Sequence, residues 1–491
     1  MKTLKTLAAF ILILSVSNIY AQPVTLDPTF GENGIIVIPG TTNITHLDFD
    51  MLSNLIVVGH TLGDAFNKYY LTIVKINADG IIDQNFGSNG IVHGPEYSLT
   101  AQLGLKITHD NKIFVTGNFY ANQYGEYKRT FMQFNEDGSL DENFGENGEI
   151  ILNFGAYTHA INLENDDFIL FGGIDQSSLD PIIWKSNYYG EIDESFGENG
   201  KVYLTDDEAY KIRVNRIKIL NDQSIIIAGY DYLDPEEYEL AFCKLNPNGD
   251  FVTEFANNGI WKMNIYDDSA ETGFKEYEYF NEVIEDNTAN LILTGTVHLG
   301  GAPAFIFSFY PDGTINSNFG TNGVYYISNY GYISKILQNG SNYLIGALND
   351  GIVSIKNNGT LDVGFNDSGI FTCENYYFYD MKLQSPYRLI LGGGRPYDLY
   401  NSNFAIVRLN IPSDVSVKPY PYTNNAINIF PNPVKEILYF NKERKFEIID
   451  IIGKIVLKSE KAIQSVNISH LKAGIYFIKF EDRQVKKFVK E

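Results

Sequence analysis

Asp79-Gly80-Ile81-Ile82-Asp83-Gln84-Asn85-Phe86-Gly87-Ser88-Asn89-Gly90 sets the architecture, because the same phrase returns along most of the chain. Its centre, Asp-x-x-Phe-Gly-x-x-Gly, recurs cleanly from Asp27 to Gly34, from Asp141 to Gly148 and from Asp193 to Gly200. Altered copies surround Phe255, Phe319 and Phe365, where Ala256, Asn316 and Asn366 replace a residue of the phrase. Successive phenylalanines stand between 46 residues (Phe319 to Phe365) and 64 residues (Phe255 to Phe319) apart. A period of this size marks an array of like units.

The residues between the phrases read as strands. In the first unit the runs Ile35–Ile38, Ile44–Phe49, Leu55–His60 and Tyr69–Ile76 are rich in β-branched and aromatic residues. Pro39-Gly40, Ser53-Asn54 and Gly63-Asp64 punctuate them. No part of the array has a capped helical period. A glycine closes the third run of every unit: Gly59, Gly117, Gly172, Gly229, Gly295, Gly346 and Gly392. Four strands per unit and seven units predict a seven-bladed β-propeller. A lone four-stranded sheet leaves two faces wet, whereas stacking in a ring covers both. The repeated Phe is then the wedge between blades and the repeated Asp a turn cap. Calcium would need several closely spaced oxygen ligands. One Asp per turn falls short of that, so no cofactor is expected.

From Asp79 to Gly90 and from Asp137 to Gly148 the phrase resembles the delta-sixty repeat family of bacterial β-propellers, over about Leu26 to Asn410. The resemblance implies a propeller and transfers no catalytic residue.

The two ends differ from the array. Lys2 and Lys5 precede an apolar run from Leu7 to Val16, and Ala21 offers a small residue for cleavage before Gln22. Residues 1–21 are therefore expected to be a secretory signal, 22–410 the propeller, 411–425 a proline-containing linker and 426–491 a separate domain. That last segment holds 13 Lys and Arg against 8 Asp and Glu. Removing its +5 and the leader's +2 from the overall −23 leaves −30 for residues 22–425. Such a contrast marks a boundary. The tail's short strands predict a small Ig-like β-sandwich. Its ordered motifs resemble the type A C-terminal sorting domain of type IX secretion cargo in Bacteroidetes. They comprise Phe430-Pro431-Asn432-Pro433, Gly453-Lys454, Gly474-Ile475-Tyr476 and the basic end around Lys487. The resemblance implies partnership with that secretion machinery, removal of the tail, and release or attachment to surface lipopolysaccharide. No other stretch is long and apolar enough to span a bilayer.

The acidic array argues against nucleic acid, which needs a cationic footprint. Cys243 and Cys373 fall in the fourth and seventh units, so no structural disulfide is expected. Gly-x-Ser-x-Gly, His-Glu-x-x-His and phosphate-loop phrases do not occur. The histidines are scattered. His46 and His159 take similar places near the start of their units' second strands, but in blades that are not neighbours. One segment stands out. From Phe255 to Gly295 the gap is 40 residues, against 27 to 33 in the other units. The insertion carries Tyr266, Asp267, Asp268, Phe274, Tyr277 and Tyr279, residues suited to stacking on sugars or contacting protein. Three functions remain open: a secreted or surface-held binding propeller for a protein or glycan ligand, a glycan lyase or hydrolase with a central-pocket site, and a purely structural surface protein.

Overall fold

The structure is a computed structural model. It describes residues 23–490 apart from 64–68, 98–102, 121–126, 153–159, 165–166, 176, 207–208, 234–237, 265–277, 298–302, 328–331, 341, 348–349, 367, 386, 397–401, 412–428, 431–433, 451–453 and 481–484. Every regular element among these residues is a β-strand. No helix there is long and apolar enough to cross a membrane.

From Thr25 to Asn410 the strands form seven antiparallel sheets in chain order. The first blade is Asn43–Phe49, Leu55–Leu62, Tyr69–Ile76 and Ile91–Tyr97. The first strands of the next five are Gly104–Ile107, Ala160–Asn162, Tyr210–Ile219, Glu278–Glu285 and Ile333–Asn339. Blade four begins with an extra short strand, Thr205–Asp206, at its edge. The seventh blade is Tyr377–Ser385, Arg388–Pro396 and Ser402–Asn410, and its fourth strand comes from the other end of the array. Ile35–Ile38 pairs antiparallel with Phe404–Val407, and Thr25–Leu26 pairs with Leu409 and Asn410. The four runs of the first sequence unit therefore do not make one blade. Each unit is offset from a blade by one strand, and that offset closes the ring.

First strands line the centre. Those of blades three to seven touch in succession, and that of blade seven touches that of blade one, which touches that of blade two. Between blades two and three, Lys106 Nζ donates to Leu163 O at 2.9 Å.

Seven apolar clusters each join two neighbouring blades, and each holds one repeat phenylalanine: Phe30, Phe86, Phe144, Phe196, Phe255, Phe319 and Phe365, all buried. Phe30 packs with Val57 and Val74 of blade one and with Ile390 and Ile406 of blade seven. The phrase also ties blades through backbone. Gly31 N donates to Asp79 O (3.0 Å), Gly87 N to Asp137 O (2.7 Å) and Gly197 N to Asn248 O (2.7 Å). The following turn must come close to make that bond. A Cβ on Gly80 would lie 2.4 Å from Gly31 N and 2.9 Å from the Phe30 ring, and Gly80 has φ +82°. The phrase Asp caps its own turn, as where Thr29 N donates to Asp27 Oδ1 at 3.0 Å and Ser195 N to Asp193 Oδ1 at 3.1 Å.

The seam between the two ends of the array carries a buried ion pair. Arg408 Nε lies 2.9 Å from Asp27 Oδ2, and Arg388 Nε lies 3.0 Å from the same oxygen. The Arg408 guanidinium also covers the Phe30 ring at 4.4 Å and donates to Thr29 Oγ1 at 3.0 Å. Both cysteines are buried and free: Cys243 in the core between blades three and four, Cys373 in that between six and seven.

The described tail residues form one five-stranded sheet around Val434, Leu438, Phe440, Phe446, Ile448, Ile478 and Phe488. The runs at Ile437 and Phe446 belong to one strand, Ile437–Asp450, and those at Ile455 and Ser465 to another, Ile455–Asn467. Register shifts around Arg444 carry this hairpin through its charged middle. A parallel bridge from Val434 to Lys490 brings the first edge back to the last.

Two substitutions test this architecture. Phe86→Ala empties one inter-blade wedge and should cost about 3–5 kcal/mol. Arg408→Ala takes away the buried partner of Asp27, leaving it only the part-exposed Arg388, and uncovers the Phe30 ring, which should cost about 3 kcal/mol. Urea unfolding of the purified chain measures both. A loss under about 1 kcal/mol for either would remove that residue from the scaffold.

Candidate functional site

In an antiparallel blade the connections alternate between two ends. The repeat phrase joins third to fourth strands and so lies at one end of the ring. The inserted segment joins Ile260–Met263 to Glu278–Glu285, and this connection belongs to the other end, where first strands enter.

At that entry five first strands share a defect. The register slips between Ile44 and His46, Val214 and Arg216, Phe280 and Glu282, Ile333 and Lys335, and Phe378 and Asp380. Each slip is a bulge, with an extra residue opposite one partner. Its sequence form is two buried apolar residues three apart, such as Ile44 and Leu47 or Phe280 and Val283. The second residue between them is the polar one that the bulge re-aims. The repeat glycine opposite makes room. A Cβ on Gly59 would lie 2.0 Å from Asn43 O, and one on Gly229 1.8 Å from Arg213 O.

Arg216, Glu282, Lys335, Asp380 and His46 thus occupy one level on five consecutive blades, alternating in charge up to the histidine. Lys335 Nζ lies 2.6 Å from Glu282 Oε2 and 4.0 Å from Asp380 Oδ1. Asp380 Oδ2 accepts from Leu47 N of blade one at 3.0 Å. Arg216 Nη1 donates to Asn215 O at 2.8 Å, and its Nε donates to Asn281 O. The Lys335 side chain is 33% exposed, so the ring borders an opening and not a closed core. One level further in, Lys382 pairs with Asp48 at 3.0 Å and Lys218 with Glu164 at 2.8 Å, while Lys106 donates to the carbonyls of Leu163 and Glu164.

The surroundings set the charge states. Burial pushes the Glu282 carboxyl up, but Lys335 and Arg216 outweigh it and hold the group below its ordinary value. Burial pulls Lys335 down, and Glu282 with Asp380 reverse that. His46 is lowered to about 4 by burial, with Lys335, Arg216 and Lys382 reinforcing it and Asp380 opposing. Its Nδ1 is buried without a hydrogen-bond partner among the described residues. Three tyrosines stand beside the ring. Burial raises Tyr279, Tyr332 and Tyr379, the last to about 12. Tyr332 is near enough to feel the charges of Arg216 and Glu282, and Tyr279 and Tyr379 both feel Tyr332. Tyr379 is exposed and meets Tyr377 edge to face at 5.5 Å.

Of the inserted segment, Tyr266, Asp267, Asp268, Phe274 and Tyr277 lie outside the described residues. Tyr279 stands beside the ring, near Tyr332 and Arg216. In the sequence, the counterpart of His46 is His159, a residue of a distant blade. His159 lies outside the described residues, and the neighbours of His46 at the ring are charged residues of other types. Among the described residues no group of three or more His, Cys, Asp or Glu is placed to hold a metal. Ala21, Gln22, Pro431, Asn432, Pro433 and Gly453 also lie outside the described residues. Lys454 borders the strand Ile455–Asn467, and Gly474, Tyr476 and Lys487 lie in the sheet's last two strands. The Tyr476 ring stacks on Phe488 at 5.6 Å and its hydroxyl donates to Lys472 O at 3.0 Å.

His46 yields a pH prediction. It titrates at 6.5 when unfolded and about 4 when folded, so the unfolded chain takes up its proton first on acidification. Its contribution to stability is complete above pH 6.5 and is lost as pH falls towards 4. Urea midpoints should fall over that window in the natural chain and fall less in His46→Gln. Equal slopes in the two would show that His46 is not buried neutral.

A family model described as "Secretion system C-terminal sorting domain" matches residues 428–491. Another, "Domain of unknown function (DUF5122) beta-propeller", matches residues 109–144. No curated protein matches. Among solved structures, PorZ, a surface component of the type-IX secretion system of Porphyromonas gingivalis, is 10% identical over 93% of this chain with a TM-score of 0.39. This chain spans 60% of that one. A protein of unknown function from Dyadobacter fermentans is 12% identical over 79% of this chain and 100% of its own, TM-score 0.40. The β-propeller domain of the trilobed protease from Pyrococcus furiosus is 8% identical over 74% of this chain and 93% of its own, TM-score 0.41. The chain is thus an all-β propeller protein ending in a secretion-system C-terminal sorting domain, which sends it by the type IX route to the cell surface or beyond.

Proposed function

We propose that this exported propeller is a binding protein and that its ligand is a glycan seated in the central funnel. The observation that supports this is the convergence of Tyr279, Tyr332 and Tyr379 on a partly open ring of fixed donors and acceptors. Tyrosine offers a flat apolar face with a polar tip. A few placed polar groups among such faces suit a ligand dense in hydroxyls. The inserted segment between Met263 and Glu278 connects strands at the same rim and belongs to this reading. So do cleavage after Ala21, a linker over 411–425, removal of the tail from 426 through its Pro431–Lys487 motifs, and attachment to lipopolysaccharide or release.

A hydrolase at the same place is the weaker reading. Glu282 and Asp380 both lie within 4.0 Å of one ammonium, a closeness in keeping with paired glycosidase carboxylates. The acid of such a pair needs a raised pKa, and that of Glu282 is held down.

Glycan arrays probed with the secreted chain, followed by calorimetry, test the proposal. Tyr332→Ala should weaken the glycan found by on the order of tenfold or more while leaving the melting temperature close to the natural one. Retention of no glycan, with a protein captured through the funnel, would replace this reading by protein binding. Cleavage of the bound glycan would establish an enzyme.

A further inference from the structure

Resting on that reading, we infer that the ring selects uncharged sugars and that Glu282 is the residue that keeps anionic ones out. The bulge level holds two cations, Arg216 and Lys335, against two carboxylates, Glu282 and Asp380, with His46 neutral. Among the described residues no cation is left over at that level. Lys335 is shared between the two carboxylates, and the Arg216 guanidinium, which acts on Glu282 through its charge, bonds the carbonyls of Asn281 and Asn215. One level further in, Lys382 and Lys218 are paired and Lys106 is taken up by carbonyls.

A uronate or sulfated sugar would bring a charge that must shed water, and at the bulge level it would meet no cation without a carboxylate to match it. The molecule's field points the same way. The whole chain carries −23, so an approaching polyanion is repelled before it reaches the funnel. A neutral sugar loses nothing by this arrangement. Its hydroxyls meet donors on Arg216 and Lys335, acceptors on Glu282 and Asp380, and the faces of the tyrosines. The charges act as rigid dipoles, because each is fixed by its neighbour.

Glu282 sits at the pivot, next to both cations. Removing its charge leaves Arg216 and Lys335 facing Asp380 alone, an excess of one positive charge. Specificity that depends on a balance of charges is open to reversal in this way.

The experiment titrates the full secreted chain with neutral glucan and xylan oligosaccharides and, in parallel, with oligogalacturonates at low and high salt. The natural chain should bind a neutral oligosaccharide at least about tenfold more tightly than any oligogalacturonate, with little response to salt. Glu282→Gln should gain oligogalacturonate binding by about tenfold at low salt and lose that gain at high salt. The double variant Glu282→Gln with Lys335→Gln, neutral again, should lose it at any salt. A natural chain that prefers oligogalacturonate overturns the inference and leaves glycan binding standing. So does a folded Glu282→Gln with no gain. Should Glu282→Gln not fold, the preference of the natural chain decides alone. Failure to bind either class removes the glycan reading and this inference with it.

Discussion

A four-stranded sheet has two faces and can dry neither of them alone, and the whole ring answers to that limit. The seven clusters between blades are the response, and one phenylalanine per repeat fills each. The wedge also fixes the chemistry of its neighbours in sequence. The glycine after Phe donates to the next turn, and that turn needs its own glycine because the ring and the amide lie beneath it. Phe, Gly and the turn Gly are therefore one device read three times. Two of the altered copies keep the contact, one of them through Gly320 N, which donates to Asn358 O at 2.8 Å. Ala256 stands where a Gly is usual, takes φ 49° and still donates to Asp312 O at 2.7 Å.

A ring adds a demand that a stack does not make: its last edge must meet its first. Offsetting repeat from blade by one strand meets it, since the first strand of the array is then left over and the last blade lacks one. Ile35–Ile38 supplies the missing strand, and Asp27 with Arg408 locks the joint in a site where an unpaired charge would be costly. The single exposed end of every blade becomes a solvated fourth strand, so its edge faces water and not a second sheet.

The wedges, the turns and the strand character were legible in sequence because each is local and repeats. The offset was not, since four runs between phrases look alike wherever the blade boundary falls. The polar ring was hidden for a different reason. His46, Arg216, Glu282, Lys335 and Asp380 share no residue type and are far apart in the chain, so no motif search joins them. A signal did exist. In each of the five strands the period-two alternation skips, leaving apolar residues three apart (Val214 and Ile217, Ile333 and Ile336, Phe378 and Met381) with a polar residue second between them. Aligning the units on their closing glycine, rather than on the phrase, brings His46, Arg216 and Glu282 into one column 13 residues before it, with Lys335 and Asp380 close by at 11 and 12. The length anomaly in the fifth unit lies in the connection into Glu278, and of its candidates Tyr279 is the one whose placement is described.

Whether the polar ring serves binding or merely fills the axis turns on what it costs. Five inner strands give up a regular ladder bond at the bulge, and their ion pairs are partly withdrawn from water, where such pairs seldom repay their desolvation against well-packed apolar side chains. Blades two and three show that the scaffold does not require this. They place Gly104 and Ile161 at the corresponding level, their first strands keep an unbroken register over the described residues, and their wedges pack as the others do. A ring that needed polar groups only to sit beside water would spread them evenly. Here they occupy one arc, on the same side as the tyrosines and the connection into Glu278. An asymmetric arc on a near-symmetric scaffold is what recognition of an asymmetric ligand demands, and Glu282, between the two cations, holds the position from which the charge of that arc is set.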